Sequence, residues 1–208
     1  FKFDQLTSKE FDNPALRLLF DQLEFKTLRD RIPGAKKEIT IDLKLVTSSE
    51  LSEIINKSNG AVAMFYELLD ERLNSYSVAL ETGESYLVMS DEIGPWLRDA
   101  KIKKTIFDHK SLARAMDFAG LDFDVALASY LVDPGNRLNS LAEVSERWLG
   151  SENTSAIALI ELRKILEPEL AKRELTNLLV EIEQPTAILL SEMERLGISI
   201  DKSLLKKL

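Results

Sequence analysis

The 208-residue sequence contains no cysteine and a single histidine, His109. Without cysteine there are no disulfides, no thiolate zinc sites and no cysteine nucleophile. That composition suits a reducing compartment, and a cytoplasmic location is expected. One histidine excludes histidine-rich metal sites and any charge relay that needs a second imidazole. Glycine is scarce and scattered: the nearest pair is Gly83 and Gly94, so no loop can cradle a phosphate in the P-loop or dinucleotide manner. No G-x-S-x-G nucleophile elbow occurs. No apolar run approaches the roughly 18 residues of a membrane span, and charges scattered through residues 1–30 are unlike a signal peptide. No membrane partner is expected. Cations are outnumbered, 27 Lys and Arg against 35 Asp and Glu for a net charge of −8. Tight, sequence-independent nucleic-acid binding needs clustered cations on phosphates, so this balance argues against it.

What remains is an ordinary globular composition, 45% hydrophobic and 30% charged, enough for one domain with an appendage. The chain opens on Phe1 and closes on Lys206-Lys207-Leu208, and it reads as an internal piece of a longer protein. Residues 11–31 begin with Asn13-Pro14 as cap and first turn, followed by Leu16, Leu19, Phe20 and Leu23 at helical spacing. Pro33-Gly34 then marks a turn, so residues 1–38 are expected to form a helical appendage.

From Ile39 the period changes. Ile39, Ile41, Leu43 and Leu45 alternate with polar residues as in a strand, and Thr47-Ser48-Ser49-Glu50 is a capping box opening a helix to about Lys57. AVAMFYE, 61–67, has strand length and composition. Segments 75–81 and 85–89 flank Thr82-Gly83-Glu84 as a hairpin. A short helix around 91–100, a strand over 104–108 and a helix over 110–118 ended by Gly120 follow. The rest is helical. Asp124 caps a helix to about Val132, stopped by Asp133-Pro134-Gly135, and another covers 139–149. Thr154 caps one reaching Leu166, and Pro168 sits in the first turn of the next. That last helix runs to Leu196 with a kink at Pro185 and Gly197 at its C′ position. The predicted class is α/β, a mixed sheet covered by helices.

Three blocks of this sequence together resemble bacterial DNA polymerase I around its 3′–5′ exonuclease domain. LLVEIEQPTAILLSEMERLGISIDKSLL, 178–205, resembles the family's junction between exonuclease and polymerase domains, with its V-E-x-E-x-P helix, M-E-x-x-G turn and I-x-I-D segment. FDHKSLARAMDFAGLDFDVALASYLVDP, 107–134, is similar to its helix–F-D–helix unit. FDNPALRLLFDQLEFKTLRDRIPG resembles the tail of the preceding 5′-nuclease domain. The resemblance implies an RNase H-like fold in residues 39–196, with 1–38 the tail of a 5′-nuclease domain and 197–208 the start of a polymerase domain. Polymerase and 5′-nuclease domains would then be intramolecular partners, and DNA would be bound through the parent enzyme.

In active members of that family an Asp-x-Glu, a helix Asp and a Tyr-x-x-x-Asp hold two divalent metals. A pair of hard cations about 4 Å apart needs several carboxylate oxygens to offset its repulsion. Carried over residue by residue, the pattern places Phe65 at the first Asp, Glu67 at the Glu, Leu112 at the helix Asp, Ser151 at the Tyr and Ser155 at the last Asp. Three acids are thus replaced, as in the degenerate exonuclease domains of Gram-positive relatives. No catalytic or metal residue is expected, and no cofactor for this chain, Mg²⁺ belonging to the parent polymerase. The old cleft is expected to be closed, with Phe65 and Leu112 packed against helices.

Two other readings stay open. One is a working metal-dependent exonuclease with relocated acids at Glu67, Asp70, Asp108 and Glu152; the other is an interaction module using an acidic face. Segment 99–114 sets Lys101, Lys103, Lys104, Lys110 and Arg114 against two carboxylates, which makes these five the candidate DNA contacts. His109 is expected to be a capping or surface residue. Trp96 and Trp148 are expected to anchor the core rather than stack on bases.

Overall fold

The computed structural model describes residues 15, 16, 19, 20, 23, 25, 28, 43–58, 60–136, 138–201 and 206. Asn13 and Pro14 of the expected helix start, the expected turn at Pro33-Gly34, and Ile39 and Ile41 of the expected strand lie outside them. The chain divides into two units, Phe1–Glu38 and Ile39–Leu208.

In the second unit, strands β1 (Leu43–Leu45), β2 (Val62–Leu69), β3 (Arg72–Leu80), β4 (Ser85–Val88), β5 (Lys104–Ile106) and β6 (Leu121–Asp124) form one sheet in the order β1-β4-β3-β2-β5-β6. Pairing is antiparallel from β2 to β3 and from β3 to β4, and parallel for β1–β4, β2–β5 and β5–β6. The helices are α1 (Ser48–Ser58), α2 (His109–Ala115), α3 (Val125–Val132), α4 (Leu141–Leu149), α5 (Ala156–Lys172) and α6 (Gln184–Leu196), with a π-helical turn at Leu178–Glu183.

The sheet separates two cores. Leu51 and Ile55 of α1 pack with Met64, Tyr66, Val78, Trp96, Ile106 and Leu112 on one side. Ala63, Ala79, Phe107 and Phe123 pack under α3–α5 on the other. Strand alternation produces this division: Met64 and Tyr66 face the first core, Ala63 and Phe65 the second.

Local signals explain most element ends. Thr47 and Glu50 form the expected capping box, the Thr47 N–H donating to Glu50 Oε2 at 2.8 Å and the Glu50 N–H to Thr47 Oγ1 at 3.3 Å. Asp124 caps α3, accepting from the Ala126 and Leu127 N–H groups. Gly197 receives the end of α6 with φ of 65°. Trp96 is buried as expected, and Trp148 packs on the second core with its Nε1 donating to Ser129 Oγ at 3.2 Å.

Elsewhere tertiary structure overrides the local pattern. The hairpin between β2 and β3 turns through Asp70 and Glu71, both with positive φ (49° and 62°), a conformation usually signalled by Asn-Gly. Thr154 is not the α5 cap; Ser155 is. Pro168 does not open a new helix, because α5 runs through it to Lys172 with Leu166 and Leu170 buried on either side. Gly120 does not end α2, which stops at Ala115. It leads into the unforeseen strand β6, where φ of 79° and the Ile102 carbonyl 2.4 Å from a would-be Cβ both require glycine. The helix expected around 91–100 is one short turn, Pro95–Arg98.

Candidate functional site

The strand expected to carry the first acids is β2, and its far end meets the N-terminus of α5. Phe65 pairs with Ser77 across β2–β3, and Glu67 pairs with Ser75. Ser77 Oγ accepts the Ala156 N–H, the first of α5, at 3.1 Å. Phe65, Glu67, Ser77 and the Ser155–Ala156 corner are thereby brought into one neighbourhood. Ser75 Oγ donates to Glu67 Oε2 at 2.8 Å, engaging the one carboxylate of the set. Ser155 donates both its N–H and its hydroxyl to Asn153 Oδ1, at 3.1 and 2.7 Å. Asn153 is anchored in turn by Ser145 Oγ on its carbonyl at 2.8 Å. Ser151 is buried, its Oγ without a hydrogen-bond partner. This is a knot of short polar side chains capping a helix.

Leu112 does not belong to that neighbourhood. It is fully buried in the first core with Met64 and Tyr66, whereas Phe65 packs on the second. A single cleft closed by both residues is therefore corrected to two separate packings on opposite faces of the sheet. Phe65 itself is only half-buried.

The residues that the resemblance sets at metal positions do not fit a metal pair. One apolar ring, two serines and a carboxylate already bonded to a hydroxyl supply too few hard anionic oxygens. No group of three or more acids or histidines capable of holding a metal occurs among the described residues. Asp70 and Glu71 occupy the hairpin turn, and Asp108 caps α2 in the left-handed region, accepting from Ser111.

The basic patch is dismantled by the fold. Lys104 is buried, and its Nζ donates to the carbonyls of Asp99 (2.8 Å), Ile102 (2.8 Å) and Ala119 (2.7 Å). Burial pushes this amine down to about 8, opposed by the charge of Asp99. Three carbonyls match the three protons of an ammonium, so the charged form is the one built in here. Lys104 cannot reach DNA. Lys110 and Arg114 both pair with Glu194, at 2.6 and 3.3 Å, which leaves Lys101 and Lys103 as the exposed members.

His109 is neither capping nor on the surface. It is wholly buried, its Nδ1 2.5 Å from Asp124 Oδ2 and its Nε2 without a partner. Asp124 also accepts from the backbone N–H groups of Asp108, His109, Ala126 and Leu127. Its carboxylate thus ties the ends of β5 and β6 to the starts of α2 and α3. The Asp-then-helix cap was visible in the sequence; its partner fifteen residues upstream was not. Beside this hub, a cavity of about 380 Å³ is lined by Lys103, Asp122, Phe123, Arg163, Leu179 and Ile188, among others. Its acids are already paired, Arg163 holding Asp122 at 2.6 Å and Glu167 at 3.4 Å.

Comparison with known proteins fits this architecture. Residues 75–153 match the family described as DNA polymerase I, ribonuclease H-like domain. DNA polymerase I of Bacillus subtilis (strain 168) is 26% identical over 242 residues, covering 95% of this chain and 28% of the relative. That of Geobacillus stearothermophilus is also 26% identical, covering 99% of this chain and 28% of the relative. The chain therefore spans little more than a quarter of the length of these relatives. Among solved structures, the POL domain of Pol1 from M. smegmatis in complex with DNA primer-template and dNTP superposes with a TM-score of 0.68 at 26% identity, over 79% of this chain and 34% of that one. Brucella melitensis NrnC shares the fold, with a TM-score of 0.55 at 20% identity over 78% of this chain and 98% of that one.

Proposed function

Because this chain is a relative of bacterial DNA polymerase I and carries its ribonuclease H-like, 3′–5′ exonuclease-like domain, we propose that the domain has kept the exonuclease fold and lost the exonuclease chemistry. On this reading it is a scaffold within a DNA-templated DNA polymerase, residues 39–196 standing between a 5′-nuclease domain that ends in 1–38 and a polymerase domain that begins in 197–208. DNA and Mg²⁺ would be handled by the parent polymerase in the cytoplasm, with this domain adding weak DNA contact at most.

The observation that carries the reading is the Phe65–Ser77–Ala156 neighbourhood. Where an exonuclease needs carboxylates converging on two cations, this chain has a half-buried ring, a serine bonded to a helix N-terminus and a Glu67 held by Ser75. Losing one metal oxygen weakens such a site, whereas losing three leaves the repulsion between two dications unopposed.

A labelled single-stranded oligonucleotide incubated with the purified chain and Mg²⁺ or Mn²⁺ tests this. The expected result is full-length oligonucleotide at all times. Shortening that is abolished by EDTA and by Glu67→Gln would instead establish a working exonuclease with relocated acids.

A further inference from the structure

We infer that α6 is a releasable latch on the edge of the sheet, docked by a side-chain hook and an ion-pair clamp, which lifts off as a unit while both cores stay folded.

Helix α6 is inverted. The buried residues of α6 are Gln184, Ala187 and Ser191, two polar side chains and a methyl group. Its large apolar residues Ile188, Leu189, Leu190, Met193 and Leu196 are exposed, from 39% to 87%. Among the described residues, neither hydrophobic core contains an α6 side chain. Ala187 is buried and Ile188 and Leu190 are 39% and 41% exposed, so α6 docks with less apolar burial than the helices of either core and gains less of the usual helix-packing stability.

Beyond its packing along α2, α6 is held by polar contacts. Its hook is Gln184, whose Oε1 accepts the Asp124 N–H at 2.8 Å while its Nε2 donates to the Asp122 carbonyl at 3.5 Å. Asp122 and Asp124 belong to β6, the last strand of the sheet, so one side-chain amide occupies the edge as a neighbouring peptide group would. The clamp lies two turns or more further on. Glu194 bridges Lys110 and Arg114 of α2, and Arg195 meets Asp117 at 3.2 Å, which also faces Arg98 at 3.7 Å. All these side chains are between one third and three quarters exposed, so the pairs are individually weak and screened by salt.

A hinge is already present. Leu179, in the π-helical turn before α6, is buried in the second core and fixes that side. Between Leu179 and α6 the backbone follows the wider π spiral, and Pro185 offers no N–H to the helical ladder. Release there sacrifices fewer hydrogen bonds than a break in a regular helix. Lifting α6 uncovers the Asp122 carbonyl and the Asp124 N–H on the β6 edge, so the latch controls whether that edge is open to pairing.

Amide hydrogen exchange of the whole chain, read residue by residue by NMR at about 0.01 M and about 1 M NaCl, tests the latch, since the screening length falls from roughly 30 to 3 Å between them. In the wild type, amides from Ala187 to Leu196 should exchange faster than those of Met64 and Val78 at both salts. They should also accelerate about tenfold at high salt, while the strand amides do not. Glu194→Gln, an exposed change that leaves the cores intact, should give fast α6 exchange already at low salt and a smaller salt response. Two results overturn the proposal: α6 and strand amides that share one rate and one salt response, or a Glu194→Gln chain whose α6 keeps wild-type rates at both salts.

Discussion

Phe65 and Leu112 lie on opposite faces of one sheet, Phe65 half-buried beneath α3–α5 and Leu112 fully buried with Met64 and Tyr66. The resemblance set both at metal positions of one site, and the structure does not bring them together. Acids placed at the two positions are therefore not expected to form one metal site.

The two changes should also differ in cost. Leu112→Asp places a carboxylate in an apolar core and should remove about 4 kcal/mol or more of stability. Phe65→Asp, at a half-buried position, should cost roughly 1–2 kcal/mol. Thermal melts of both variants, and of the triple variant with Ser155→Asp, should show this order and no gain from Mg²⁺. A triple variant melting as high as wild type would contradict it.

Replacing Lys104 tests the corrected role of the basic segment. Lys104→Met takes the ammonium donor from the Ile102 and Ala119 carbonyls, while the Asp99 carbonyl keeps the Ile102 N–H, and should cost about 2 kcal/mol, seen as a lower urea midpoint with an unchanged slope. Lys101→Glu and Lys103→Glu should change stability by no more than about 0.5 kcal/mol. Single-stranded DNA binding is expected to be weak at physiological salt, and the same two substitutions should reduce it further, measured by fluorescence anisotropy.

The Asp124 carboxylate accepts four backbone N–H groups and faces the ring of His109. Asp124→Asn exchanges one acceptor oxygen for a donor pointed at groups that are themselves donors. A loss of about 2–4 kcal/mol is expected. A two-dimensional NMR spectrum should show the disturbance focused on the β5–α2 and β6–α3 junctions. An Asn variant as stable as wild type would show that the hub carries little of the junctions' stability.

Tyr66 sets an alkaline limit. Burial first, then the charges of Asp108 and Asp124, raise its phenol far above the ordinary value of 10.0, and its hydroxyl donates to the Asp108 carbonyl at 2.5 Å. Above about pH 10 the unfolded chain releases this proton while the native chain keeps it. The native state then binds more protons, so stability falls as pH rises past that point and is unaffected below it. Tyr66→Phe should cost about 1 kcal/mol at neutral pH and flatten the alkaline limb. Tyr76 and Tyr86, raised chiefly by burial, will leave some slope behind. Urea midpoints between neutral pH and pH 11 check the sign.

Much of this protein was determined locally and is legible in the sequence. The capping box at Thr47–Glu50, the Asp124 cap, the Thr82-Gly83-Glu84 turn and the Gly197 stop each depend on a few adjacent residues, and each is present. The expected replacement of acids by Phe65, Leu112 and Ser155 rests on the register of the family resemblance and on nothing local. Other features exist only after distant segments meet. Lys104 reads as one cation in a basic run until Asp99, Ile102 and Ala119 close their carbonyls around it. His109 reads as a surface residue until β6 delivers Asp124 to its ring. Strand β6 itself has too short an apolar pattern to announce a strand and is made one by pairing with β5 on one side and the Gln184 amide on the other. Local propensity decides where the chain turns and caps. Burial and hydrogen-bond satisfaction across the sheet decide which charges are buried and which residues face each other, because desolvation makes every unpaired polar group in the interior costly.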